Sequence, residues 1–207
     1  MSTLPSARVK GRSLAHLTAI AARGGERAAA GLSALVGREI AVDATGIHLG
    51  GTARLLDLIG GPEAPVAGVY LAIGDSIRGH IMLLFTLEQA FRLVDQLLEA
   101  EPGATRELDP MSQSALGEVG NITGAAFLNE LGDAIGIELH PSPPTVVLEL
   151  AGALLDSVLT EISALGGDVL VVETVFREAQ EQIQGFILIT PEPEALQVIL
   201  DRLQEAA

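Results

Sequence analysis

The sequence predicts an α/β (α+β) protein: one internally duplicated, pseudo-two-fold domain. It should carry a mixed or antiparallel sheet with two long helices packed on one face. Three observations predict this. The order of apolar patterns runs twice through the chain. Helical spacing and short β-branched runs alternate within each pass. The apolar content is high, 48%, but only 3% of residues are aromatic, so the core is built from Leu, Ile, Val and Ala. A chain of 207 residues is long enough to bury such a core without covalent staples.

In chain order, residues 1–12 read as a flexible leader, and residues 13–207 as the domain. Leu14 to Val36 has Leu17, Ile20, Ala28, Leu32 and Leu35 at helical spacing. Gly24 and Gly25 weaken that helix, each by about 1 kcal/mol relative to Ala, and Gly37 suits its end. Glu39 to Leu49 alternates as a strand. The stretch ARLLDLI between Gly50-Gly51 and Gly60-Gly61 fits either strand or helix. Val66 to Ile73 and Ile77 to Phe85 flank Gly74-Asp75 as a hairpin. Leu87 to Ala100 closes the first half, about 13–100, as a helix.

The second half, about 110–207, repeats the order after a polar link. A helix runs from about Ser112 to Ile135, with Ser112 able to cap it and Pro110 tolerated in its first turn. Pro141, Pro143 and Pro144 then force extended backbone. Thr145 to Leu150 reads as a strand and Ala153 to Leu165 as a helix. Asp168 to Phe176 and Gln182 to Thr190 are strands, and Pro193 to Leu203 is a closing helix.

Shifted by 99 residues, Leu17, Ile20, Leu32, Leu35 and Val36 fall on Leu116, Val119, Leu131, Ala134 and Ile135, and Gly37 falls on Gly136. Further on, Ile77 to Ile81 falls on Ile183 to Ile187. The comparison isolates a chemical difference. In the second long helix, at about 100° per residue, Leu116, Val119, Thr123, Phe127 and Leu131 form one stripe. Ser114, Glu118, Asn121 and Ala125 lie within roughly 60° of each other on the opposite side. The first helix has Ala15, Ala19 and Ala22 where the second has Ser114, Glu118 and Asn121, and Thr45 stands where the second half has Pro144. A hydroxyl, an acid and an amide therefore share one outward strip in the second half alone.

Other chemistries find little support. No Cys is present, which removes disulfides and thiol chemistry and fits a reducing compartment. His16, His48, His80 and His140 are isolated and lack metal-ligand spacing, so they read as surface or packing residues. The net charge of −15 repels phosphate backbones and anionic membranes, which argues against nucleic-acid and membrane partners. No apolar run reaches the roughly 18 residues of a spanning helix, and the expected location is cytoplasmic.

With Ser114, Glu118, Asn121 and Pro144 in place, the chain resembles the CheC/CheX/FliY family of chemotaxis phosphatases. The family pattern is Asp or Ser, three residues, Glu, two residues, Asn, then twenty-two residues and Pro, and every spacing is met here. The flanking GEVGNITGAAFLNEL is typical of the group as well. Length and duplication look most like CheC, with the motif lost from the first half.

The resemblance implies a phosphatase acting on the aspartyl phosphate of a CheY-type response regulator. It implies that Asn121 holds the attacking water and that Glu118 pairs with the regulator's active-site Lys. Ser114 would contact the partner or shape the helix start, and Pro144 would fix the chain's exit. No intrinsic cofactor is implied; Mg²⁺ would arrive with the regulator. Two other roles belong to the same resemblance: a non-catalytic binding module like those of the flagellar switch, and an adaptor for the deamidase CheD, with 153–165 as the contact.

Overall fold

The computed structural model describes residues 11–50, 53–74, 77–163, 169–179 and 181–205. Its elements are α1 (Gly11–Val36), β1 (Ala41–Gly50), α2 (Ala53–Leu58), β2 (Pro65–Ile73), β3 (Gly79–Thr86) and α3 (Leu87–Leu97). They are followed by α4 (Pro110–Ile135), β4 (Thr145–Leu150), α5 (Ala151–Ser163), β5 (Val169–Glu178), β6 (Glu181–Pro191) and α6 (Pro193–Glu205). The six strands form one sheet in the order β1-β5-β6-β3-β2-β4, and every neighbouring pair is antiparallel. The order is unchanged when β1, β2 and β3 are exchanged with β4, β5 and β6.

The sheet is covered on both faces, which explains the unbroken apolar runs of its central strands. Alternate residues of β3 and β6 serve opposite layers. Ile81, Leu83, Phe85, Ile187 and Ile189 join α1, α3, α4 and α6 in the larger core. Met82, Leu84, Phe186 and Leu188 meet Leu55 of α2 and Leu154 and Leu155 of α5 on the other side. The ambiguous stretch after β1 is thus a helix, and it shares this second layer on the sheet with α5.

Helices α1 and α4 lie antiparallel against each other. Gly24 of α1 approaches Phe127, and Gly31 approaches Ile122. At one end of the seam, Arg23 Nε and Arg27 Nε reach the two oxygens of buried Glu130 at 2.7 and 2.6 Å, and Arg27 also pairs with Asp133. Both helices end on a left-handed glycine, Gly37 at φ 70° and Gly136 at φ 69°, which satisfies trailing carbonyls at no Cβ penalty.

Several expectations need correction. Gly11 and Arg12 already belong to α1, so that helix begins before Leu14; residues 1–10 lie outside those described, as do Asp75, Leu165 and Asp168. Gly24 and Gly25 are not weak points. A Cβ on Gly24 would lie 2.9 Å from the Phe127 ring, and one on Gly25 2.4 Å from the Val42 carbonyl, so both allow close packing. Leu35 leaves the apolar stripe and is half-exposed. Helix α3 stops at Leu97, three residues early, because Glu99 turns left-handed at φ 54°.

Candidate functional site

The N-terminus of α4 is capped by Asp109, not Ser112. The Asp109 carboxylate accepts the Ser112 amide at 2.8 Å, and Pro110 occupies the first turn, where its missing N–H costs nothing. Ser112 itself is buried. The Ser112 amide, with its hydroxyl and the Met111 amide, holds the Asp109 carboxyl below the usual range, against a smaller upward push from burial.

The strip is presented outward as the periodicity indicates. Ser114 and Glu118 are exposed, Asn121 and Ala125 half-buried, while Leu116, Val119, Thr123, Phe127 and Leu131 are buried. The Ser114 hydroxyl donates to the Pro110 carbonyl at 2.8 Å, so its proton is committed to the helix start. Among the described residues, the Glu118 and Asn121 side chains have no hydrogen-bond or ion-pair partner. Three residues apart, they are neighbours on the helix surface, and one acid and one amide stand free for a partner.

What seats this helix is a row of glycines whose role the sequence reading missed. Gly117, Gly120 and Gly124 face the sheet. A Cβ on Gly120 would stand 2.3 Å from Val69 Cγ1, and one on Gly124 3.4 Å from Leu71 Cδ1. Their spacing of three and four was a readable signal, since it defines one helical face. A Cβ on Gly117 would meet Pro144 Cγ at 3.7 Å, an ordinary contact. Pro144 is thus brought against α4 at the residue before Glu118.

A second missed residue is Asp95, near the end of α3. It is buried, yet its two oxygens accept the Gly103 amide at 2.7 Å and the Thr105 amide at 2.8 Å. Burial is the largest single influence and pushes this carboxyl up. The Thr105 hydroxyl and the amides of Thr105, Gly103 and Ala104 together outweigh it and hold the carboxyl below the ordinary value. Asp95 therefore fixes the polar link that leads into α4. Nothing distinguishes it in sequence from other helical acids.

Glu118 opens onto a groove of about 300 Å³ between the C-terminal ends of α1 and α3. A larger cavity of about 430 Å³, lined by Arg27, Asn129, Asp133 and His140 among others, lies toward the opposite end of α4 and contains no motif residue. The four histidines are scattered: His16 bonds Leu203, His48 pairs with Glu173, His80 contacts Tyr70, and His140 lies near Glu138. Among the described residues no group of three or more His, Asp or Glu side chains converges as metal ligands would, and no helix is long and apolar enough to cross a membrane.

Both the fold and the span that carries the strip have counterparts among chemotaxis and flagellar-switch proteins. The CheC-like family matches residues 111–148, a span that contains all four motif positions. The CheY-P phosphatase CheC of Bacillus subtilis (strain 168) is 28% identical over 178 residues, covering 84% of this chain and 85% of the relative. The structure of FliY from Thermotoga maritima superposes with a TM-score of 0.75 at 18% identity, covering 97% of this chain and 100% of that one. The FliM middle domain from H. pylori has a TM-score of 0.67 at 14% identity, covering 94% and 99%. At such identities the two structures speak for the fold. The sequence matches add a likeness to the CheC-like family, over the span that holds the spaced motif, and to CheC across most of the chain.

Proposed function

We propose that this protein hydrolyses the aspartyl phosphate of a CheY-type response regulator. The observation that carries the reading is the pairing of Glu118 and Asn121, free of partners among the described residues, on the exposed strip of a helix seated by glycines. The Bacillus subtilis relative, named a CheY-P phosphatase, supports the same substrate. Water attacks phosphorus in line, the bond from phosphorus to the aspartyl oxygen breaks, and carboxylate and inorganic phosphate result. Such a reaction needs positioning more than covalent chemistry. The Asn121 amide can accept from the water and donate toward the phosphoryl oxygens without changing charge. Glu118 pairs with the regulator's lysine and sets the docking angle. Mg²⁺ comes with the regulator.

In this reading the chain is two pseudo-repeats, of which only the second works, so one regulator docks per chain. The test is the rate of phosphate loss from a phosphorylated CheY-type receiver with and without the protein. Acceleration that disappears in Asn121→Ala is expected. Tight binding without acceleration would instead mark a binding module.

A further inference from the structure

Resting on the phosphatase reading, we infer that the groove beside Glu118 is a second docking surface for the regulator, shaped for an apolar side chain standing next to a lysine or arginine. Its walls are Leu35 at the end of α1, Leu97, Leu98 and Glu99 at the end of α3, and Ala115 of α4. Leu35 and Leu98 are 50% and 41% exposed, two large apolar side chains open to water directly beside the strip. Two carboxylates, Glu99 and Glu118, line the same groove. The nearby cation on the α1 exit, Arg38, is already engaged by the Gln96 carbonyl and Glu178. Apolar walls with unneutralised acids favour an occupant with an apolar body and a positive end.

The wall is built before any partner arrives. Leu98 N–H donates to Val94, Ala100 N–H to Asp95, and Asp95 ties down Gly103 and Thr105. A surface already held in its binding conformation loses less entropy on association.

The other half of the molecule supplies the second observation. In the register that places Leu17 on Leu116, His16 falls on Ala115. In the register that places Ile77 on Ile183, Leu97 falls on Leu203. At that equivalent corner the His16 Nδ1–H donates to the Leu203 carbonyl at 3.0 Å, so an imidazole bridges the two helices. At the Glu118 corner the small Ala115 leaves the gap open. The open groove thus lies beside the motif strip of α4, while the equivalent corner beside α1 is bridged.

The test is steady-state hydrolysis of a CheY-type receiver phosphorylated with acetyl phosphate, on which the wild type has first been shown to act. Ala115→His, which copies the bridged corner, should raise KM about tenfold, close to 1.4 kcal/mol, with kcat within about twofold. Leu98→Ser should raise KM several-fold. So should Glu99→Asn, which removes the charge while tolerating the left-handed backbone. His16→Ala should change neither constant. Thermal melts show whether Ala115→His folds, and the two surface variants carry the test if it does not. Unchanged KM in the folded variants, with Asn121→Ala still inactive, overturns the groove and leaves the phosphatase reading standing. Turnover that survives Asn121→Ala overturns that reading instead.

Discussion

Helices α1 and α4 are partners in one seam and equivalents in the repeated pattern, yet their outward strips differ. Each buries an apolar stripe, each ends on a left-handed glycine, and each carries a strip facing away from the core. On α1 that strip is Ala15, Ala19, Ala22 and Glu26, all exposed; on α4 it is Ser114, Glu118, Asn121 and Ala125. The packing faces agree because both must satisfy the same sheet. The outward faces are free of that demand, so a difference there reflects what the surface is for. The two helices also sit differently on the sheet: α4 has Gly120 where α1 has buried Ala21.

The strongest way to break this comparison is at Asn121. Asn121→Ala should lower kcat by roughly 100-fold or more, while its denaturation midpoint stays within about 0.5 kcal/mol of wild type, as for a partly exposed side chain without bonded partners. Full activity in this variant would reduce α4 to a second α1.

Next in size is the seating of the helix. Gly120→Ala drives a methyl into Val69 and should destabilise the fold by about 1–3 kcal/mol in urea titrations. A methyl at the equivalent α1 position is already present in Ala21. A neutral Gly120→Ala would mean that α4 needs no closer approach to the sheet than α1.

Asp95 and its equivalent on α6, Asp201, make a third contrast. Asp95 is buried on two amides, whereas Asp201 is exposed and, among the described residues, accepts only from Gln197, four residues back. Asp95→Asn should cost about 1–3 kcal/mol at neutral pH, and Asp201→Asn less than about 0.5. The Asp95 carboxyl sits lower folded than unfolded, where it is about 3.9. Its contribution is therefore complete above that value and fades as pH falls through the folded value. The gap between wild type and Asp95→Asn should shrink in acid; a gap that grew there would reverse the assignment.

Glu118→Ala should weaken regulator binding about tenfold, some 1.4 kcal/mol, by calorimetry. The loss should diminish in high salt, because an exposed pair is screened. The smallest effect belongs to the silent strip. Ala19→Ser and Ala22→Ser should leave turnover unchanged, and calorimetry with a phosphorylated regulator mimic should give one site per chain. Two sites would show that α1 also binds.

Much of this was legible locally. Helix α4, its buried stripe and its exposed strip follow from a 3.6-residue period that the backbone alone imposes, and Thr145–Leu150 was read to the residue. The cap was misread by three residues, because Ser112 and Asp109 are both good caps and only the amide's direction distinguishes them. Leu35 obeyed the period but faces the open groove that it shares with Ala115 and Glu118, so it stays half-exposed.

Local pattern was therefore enough for most of the elements, their repetition and the spaced strip, since each depends on neighbours a few positions away, but not for α2, whose short run fitted strand and helix alike. Tertiary structure decided the rest. It interleaved the strands of the two halves, turned Gly24 and Gly25 from helix weakeners into points of close packing, seated Gly120 on Val69, and buried Asp95 under the link it organises. It also left a groove open beside Glu118 while His16 bridged the equivalent corner. Apart from the Asp95 link, which spans 8 and 10 residues, each is a contact between residues far apart in the chain, and its energy depends on a distance that no local pattern encodes.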